Sequence, residues 1–312
     1  MKKTLPALVA LTALVTSLTT TGALRAAQGA GAGDASRVLA GAIDIHVHSY
    51  PDDRPRSVDA IDVAKLAHSR GMRAIVLKNH FESTAGTAYL VRKVVPGLEI
   101  FGGIDLNLTV GGINPAAVEH MTRVTGGWGR LVWMPTFDAE NQVRYSKESR
   151  PFVSVARDGE LLPEVKAVIG LIAKHGLVLA TGHSSPQEGL LLLREGRRQG
   201  VGQMVVTHAT FQPVLMNVTQ MQEAAKLGAF IEFVGGNPEE QGAASRLDAI
   251  ADAIRQVGPA SSILSSDLGQ QGNPLPPDGF GAFILALRAR GLSDRDLDLM
   301  SKENPARLLG LR

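Results

Sequence analysis

The segment Ile43-Asp44-Ile45-His46-Val47-His48 sets two imidazoles two residues apart at the end of an apolar run, just ahead of the proline-broken Ser49-Tyr50-Pro51-Asp52. In an extended strand residues i and i+2 share a face, so His46 and His48 project together while Val47 turns into packing. Further metal-ligating or proton-handling residues follow similar runs: Lys78 with His80 two positions on, then His183, His208 and Asp267. Imidazole and carboxylate groups suit a divalent ion, and an ion with an open coordination position makes water nucleophilic near neutral pH. Taken singly, each of these side chains is as readily a hydrogen-bonding group at a strand end. His68, His120 and His175, within or at the ends of helical stretches, carry no assigned chemistry. With no cysteine in the chain, any metal site must draw on His, Asp, Glu or Lys.

Scattered residues of this kind act together only if the fold converges them. Eight short apolar runs read as buried parallel strands: 42–48, 73–78, 98–106, 130–135, 177–183, 203–208, 229–234 and 262–267. Between them lie segments such as VDAIDVAKLAHSRG and LPEVKAVIGLIAKHG, whose apolar residues recur every three or four positions and which close on Gly. Strand and helix alternating eight times predict an α/β fold of the (β/α)8 TIM-barrel type, one domain over residues 41–312. In such barrels the C-terminal strand ends gather the chemistry, and that is where His46, His48, Lys78, His183, His208 and Asp267 fall. A longer insertion, about 137–160, follows the fourth strand and is expected to lie over the mouth.

Ahead of the barrel, Lys2 and Lys3 precede an apolar run from Leu5 to Val15 and then small residues near Ala23–Ala27, the layout of a signal peptide over 1–27. That run is shorter than the roughly 20 apolar residues needed to span a bilayer. Residues 28–40 read as a small-residue linker. Cleavage would remove Lys2, Lys3 and Arg25 and no acid, turning a formal charge of +2 into −1. A periplasmic or secreted protein is expected, with no basic attraction for nucleic acid, no stable membrane anchor after cleavage, and a small-molecule substrate. A homo-oligomer is left open.

The motifs HVH (46–48), GH in TGHSS, TH in VTHAT and SD in LSSDLG, with NPARLLGL near the C-terminus, resemble the metal-dependent amidohydrolase superfamily over nearly all of 42–311. VLKNHF and VWMPT set the chain beside amidohydrolase-like sequences whose substrate the resemblance does not supply. The resemblance implies that His46, His48 and Asp267 hold one divalent ion, Zn by first expectation with Mn or Fe as alternatives. His183 and His208 would hold a second, or His183 would join the first while His208 contacts substrate. Two-metal members carry a carboxylated lysine or a glutamate at the fourth strand, where this chain has Trp133-Met134-Pro135-Thr136. Lys78 then takes one of three roles: a carbamate bridging two ions, a cation facing a carboxylate or oxyanion, or a side chain reaching the rim. Asp267 is the expected general base.

His80, Tyr50 and Arg54 are candidate substrate contacts, Asp52 and Asp53 lie in the same loop, and Glu232 is left unassigned to either face of its strand. GGINP (111–115) and GGNPE (235–239) read as turns that start helices. There is no phosphate-cradling loop and no nucleophile elbow. The reaction expected is metal-dependent hydrolysis of an amide, cyclic amide, ester or lactone. A mononuclear decarboxylase or other lyase, and a noncatalytic metal or ligand binder, are the alternatives.

Overall fold

Apolar on both faces, the eight runs need cover on each side, which a sheet that wraps around its own core and is covered outside by helices provides. The computed structural model, which describes residues 37–237 and 240–312, has that form. The strands are β1 (Ile43–His48), β2 (Ala74–Lys78), β3 (Glu99–Asp105), β4 (Gly129–Trp133), β5 (Ala156–Arg157), β6 (Glu160–Leu161), β7 (Val178–Ala180), β8 (Gln203–Val206), β9 (Phe230–Val234) and β10 (Ser262–Ser265). All but β5 and β6 form one parallel sheet in chain order, β1-β2-β3-β4-β7-β8-β9-β10. Its edges meet through the segment after β10: His48 N–H donates to the Leu268 carbonyl (2.9 Å) and Asp267 N–H to the His46 carbonyl (3.0 Å).

The expected signal peptide lies outside the described residues, as does most of the linker. The linker's end belongs to the fold: residues 37–39 are helical, and Val38 and Leu39 are buried, so packing begins before position 41.

The crossovers carry α1 (Ala60–Ser69), α2 (Ala85–Val94), α3 (Pro115–Arg123), α4 (Glu140–Tyr145), α5 (Pro163–His175), α6 (Pro186–Arg198), α7 (Val218–Lys226), α8 (Ala243–Val257) and α9 (Pro276–Arg288), followed by α10 (Asp294–Asp298) and α11 (Asn304–Leu309). Their starts use the chemistry written in the sequence. Asp59 caps α1, Asn114 caps α3 ahead of Pro115, and Ser185 forms a capping box with Glu188 on α6. GGINP is therefore a turn and helix start; part of GGNPE lies outside the described residues. The insertion supplies α4 and the antiparallel β5–β6 hairpin.

Two apolar layers result. The outer one lies between sheet and helices. The inner one fills the barrel with Ile43, Ile45, Val76, Phe101, Leu131, Trp133, Val205 and Ile263, and closes at the bottom on Leu308 and Leu309 of α11. Alternation along β1 breaks once: Ile43 and Ile45 face inward, yet Val47 packs outward against the helices. The register with β2 slips between Asp44 and Val47, so two residues oppose one, a β-bulge. Without it, strict alternation from Ile43 would send both histidines out of the barrel. Asp44 holds the bulge, its Oδ1 accepting from the N–H groups of His46 and Ser266, 3.1 Å each.

Candidate active site

Every strand-end residue singled out above except Tyr50 and Arg54 is buried or nearly so at one end of the barrel. His46, His48, Lys78, His80, His183, His208 and Asp267 all line one cavity of about 460 Å3. His46 Nε2 and His48 Nε2 each stand 3.1 Å from Asp267 Oδ1, and these three form one group of ligand-type atoms. His208 and His183 adjoin them: the rings of His46 and His208 are 5.9 Å apart, those of His183 and His208 4.9 Å.

The hydrogen bonds behind the ring decide what fits in front. His46 Nδ1 faces Glu232 Oε1 at 3.1 Å, so it is the protonated nitrogen and Nε2 presents a lone pair. Nε2 stands 3.1 Å from the anionic oxygen of Asp267 without hydrogen-bonding geometry toward it. Two electron-rich atoms at that separation require a positive charge between them. Either the imidazole is protonated or a cation is shared. Burial alone would lower the His46 pKa, but Asp267 and Glu232 outweigh it and lift the imidazole to about 9. A divalent ion between His46, His48 and Asp267 answers the same need with neutral imidazoles, so the residues fit the metal that the fold implies. The buried His208 Nδ1 is a further nitrogen without a hydrogen-bond partner among the described residues.

The other groups are tuned accordingly. Burial pushes His48, His80 and His183 well below the ordinary histidine value, which keeps them neutral. Asp267 would be raised by burial, yet His46 holds it well below the usual carboxylate range. His183 Nδ1 meets Gln142 Oε1 at 2.8 Å, so a side chain from the insertion leaves Nε2 free. His208 (φ 25) and Asp267 (φ 51) both sit in the left-handed region that non-glycine residues rarely adopt, a pattern common at functional sites. Gly182 explains the TGH motif: at φ 61, an added Cβ would collide with the Met134 carbonyl as the chain crosses toward His183.

Lys78 lines the same cavity. Its fully buried amine has Asp105 Oδ2 at 3.4 Å and the Trp133 ring centroid at 5.4 Å, and Asp105 is its ion-pair partner among the described residues. Asp105 also receives Thr136 Oγ1–H (2.9 Å) and stands 3.2 Å from His80 Nδ1. Burial raises the Asp105 pKa, against the pull of Lys78.

Arg54 lines the mouth of the cavity. Tyr50 does not; it faces a separate apolar depression with Ile61 and Leu90. Asp52 is engaged by Arg56 Nε at 2.6 Å. Glu232, Asp105, Asp44 and Gln142 are site residues that the motifs alone do not reveal. A lone acid inside an apolar strand (AFIEFV, IFGGID) is the signal for the first two, since alternation from Phe101 sets Asp105 on the inner face.

The fold is that of known amidohydrolases. An amidohydrolase from Pseudomonas aeruginosa superposes with a TM-score of 0.62 at 14% identity, covering 89% of this chain and 98% of its own. An amidohydrolase from Burkholderia multivorans with bound Zn gives 0.60 at 16%, covering 88% and 100%. A beta-aspartyl dipeptidase from Fervidobacterium islandicum gives 0.60 at 18%, covering 88% and 73%. No curated protein matches the sequence. A family model does match residues 41–232, the span from the HVH strand through Glu232, and by it the chain belongs to DUF6282, a family of unknown function.

Proposed function

We propose that the protein is an exported metal-dependent hydrolase acting on an amide, cyclic amide, ester or lactone. The observation that carries this reading is the convergence of His46 Nε2, His48 Nε2 and one Asp267 oxygen, each nitrogen 3.1 Å from that oxygen, into one buried cluster of ligand-type atoms that suits a divalent ion. A divalent ion held there, with His183 and His208 beside it, would supply a Lewis acid and bring the pKa of water from 15.7 to about 7.

The remaining chemistry belongs to the chain. Asp267, kept ionised, accepts the proton of the attacking water and passes it to the leaving group. Lys78, held beside Asp105 in the lining of the same cavity, donates to the oxygen of the carbonyl as it gains charge. His208 and His80 border the same space and orient the substrate. Glu232 and Gln142 fix the tautomers of His46 and His183. The apolar interior of the barrel below excludes bulk water.

One ligand trio among the described residues, with Lys78 engaged elsewhere, also favours a mononuclear lyase such as a decarboxylase as a second reading. Protein stripped with a chelator and reloaded with Zn or Mn is assayed on amides, lactones and esters, and on carboxylated aromatics for CO2 release. Ion-restored hydrolysis, reduced at least about 100-fold by Asp267→Asn or Lys78→Met, is expected. CO2 release alone moves the assignment to the lyase. Binding of one ion per chain with no turnover on either panel makes the protein a binder. Export is tested by fractionation: N-terminal sequencing of mature protein from the periplasm or medium should show cleavage near Ala27, and an intact Met1 terminus retained in the cytoplasm would refute it.

A further inference from the structure

We infer that the substrate carries a carboxylate on the side remote from the scissile bond, and that Arg54 is the residue that selects for it. This rests on the hydrolase reading and adds the substrate's class. The guanidinium of Arg54 lies 4.0 Å from the Phe137 ring centroid and 5.4 Å from that of Phe81. Phe137 in turn stands 4.2 Å from the His80 ring and 5.7 Å from the His183 ring. A cation is thus stacked at the mouth on the aromatic that borders the imidazole cluster.

The neighbouring cations are engaged. Arg56 is paired with Asp52, and Lys78 with Asp105. Arg54 makes no ion pair among the described residues, and its only hydrogen bond is a backbone one, its N–H to Asp52 Oδ1 at 3.4 Å. Its planar fork of donors is left for a ligand, held by stacking that leaves the N–H edge open. Gln212, Gln270 and Gln271 on the same lining offer amides, and the nearby carboxylate of Asp52 is taken up by Arg56. One guanidinium matches one planar monoanion in two parallel hydrogen bonds, which is carboxylate geometry. A phosphate dianion would call for further unpaired cations, whereas Arg56 and Lys78 on the same lining are already paired with Asp52 and Asp105. A ligand bridging Arg54 and the His–Asp trio presents its carboxylate at the rim and its carbonyl below, between Asp267 and Lys78.

The test separates binding from turnover. Titration calorimetry on ion-loaded protein compares N-acetylglycine with N-acetylglycinamide, which differ in charge and little in shape. Wild type is expected to bind the acid at least about tenfold more tightly, as a charge-assisted bidentate pair provides. Arg54→Ala should bring the two within about twofold, Arg54→Lys should keep part of the preference, and Phe137→Leu should weaken it several-fold with the charge retained. Equal affinity in wild type, or a preference that survives Arg54→Ala, overturns the inference. A preference that survives Arg54→Ala and vanishes in Lys78→Met places the carboxylate at Lys78 instead. Because these are affinities, the hydrolase reading fails separately, by absence of ion-dependent turnover.

Discussion

Glu232 illustrates how a single side chain serves the site without reaching the substrate. It is buried on β9, takes the His46 Nδ1–H, and accepts the N–H of His208 at 2.8 Å through its other oxygen. It therefore sets the tautomer of one site histidine and the backbone of another. Burial would raise its pKa, but His46 pulls it down, so it stays a carboxylate. Glu232→Gln removes the charge and retains most of the volume. The expected outcome is a loss of ion affinity of about 10- to 100-fold with the fold intact. Competition against a chromophoric chelator reads this directly, and an unchanged affinity would show that Glu232 plays no part in holding the ion.

At the scale of elements, the bulge in β1 is the device on which the site depends. Asp44 serves two buried N–H groups there. Asp44→Ala leaves both unmet at about 1–3 kcal/mol each, while Asp44→Asn keeps an acceptor and should cost less. Urea unfolding midpoints give the order wild type, Asn, Ala. A stable Ala variant that still binds its ion would mean that the bulge holds itself. Helix α6 offers a pH-dependent case away from the site. Glu195 takes hydrogen bonds from Arg198 and Gln199, with Arg198 the larger influence, and is lowered from 4.5 to about 2. Its contribution is complete above pH 4.5, where folded and unfolded forms are both ionised, and fades as pH falls toward 2. Arg198 is 68% exposed, so Glu195→Gln should cost only ~1 kcal/mol at pH 7. That difference should close as the unfolding experiment is repeated toward pH 2; a constant gap would contradict the assignment.

At the scale of the molecule, a barrel must be closed at the end away from its chemistry. Ala306, Leu308 and Leu309 of α11 pack against the interior residues of the strands and do this. Leu308 is 1% exposed. Leu308→Ala should destabilise by about 2–5 kcal/mol, as large-to-small changes in a packed core do, whereas the partly buried Leu311 should tolerate the same change far better. Equal, small effects at both positions in chemical denaturation would show that the helix only covers the bottom. No described helix is long and apolar enough to cross a membrane.

The repeat of strand and helix, the strand limits within a few residues, and the placing of His46, His48, His183, His208 and Asp267 at one face are legible in the sequence. The reason is physical: strands buried on both faces must be continuously apolar, so polar residues at their ends stand out. What pairs with what was settled only by closure of the barrel. Asp105 and Glu232 lie inside apolar runs whose inward face is known only once the register and its bulges are. The partner of Lys78 sits on a different strand, and the insertion brings Gln142 and Phe137 back over the mouth from a segment with no strong pattern. Local sequence encodes which atoms a residue offers; the contacts that tune Lys78, His46 and His183 span tens to hundreds of residues, and only the tertiary fold brings those atoms within reach.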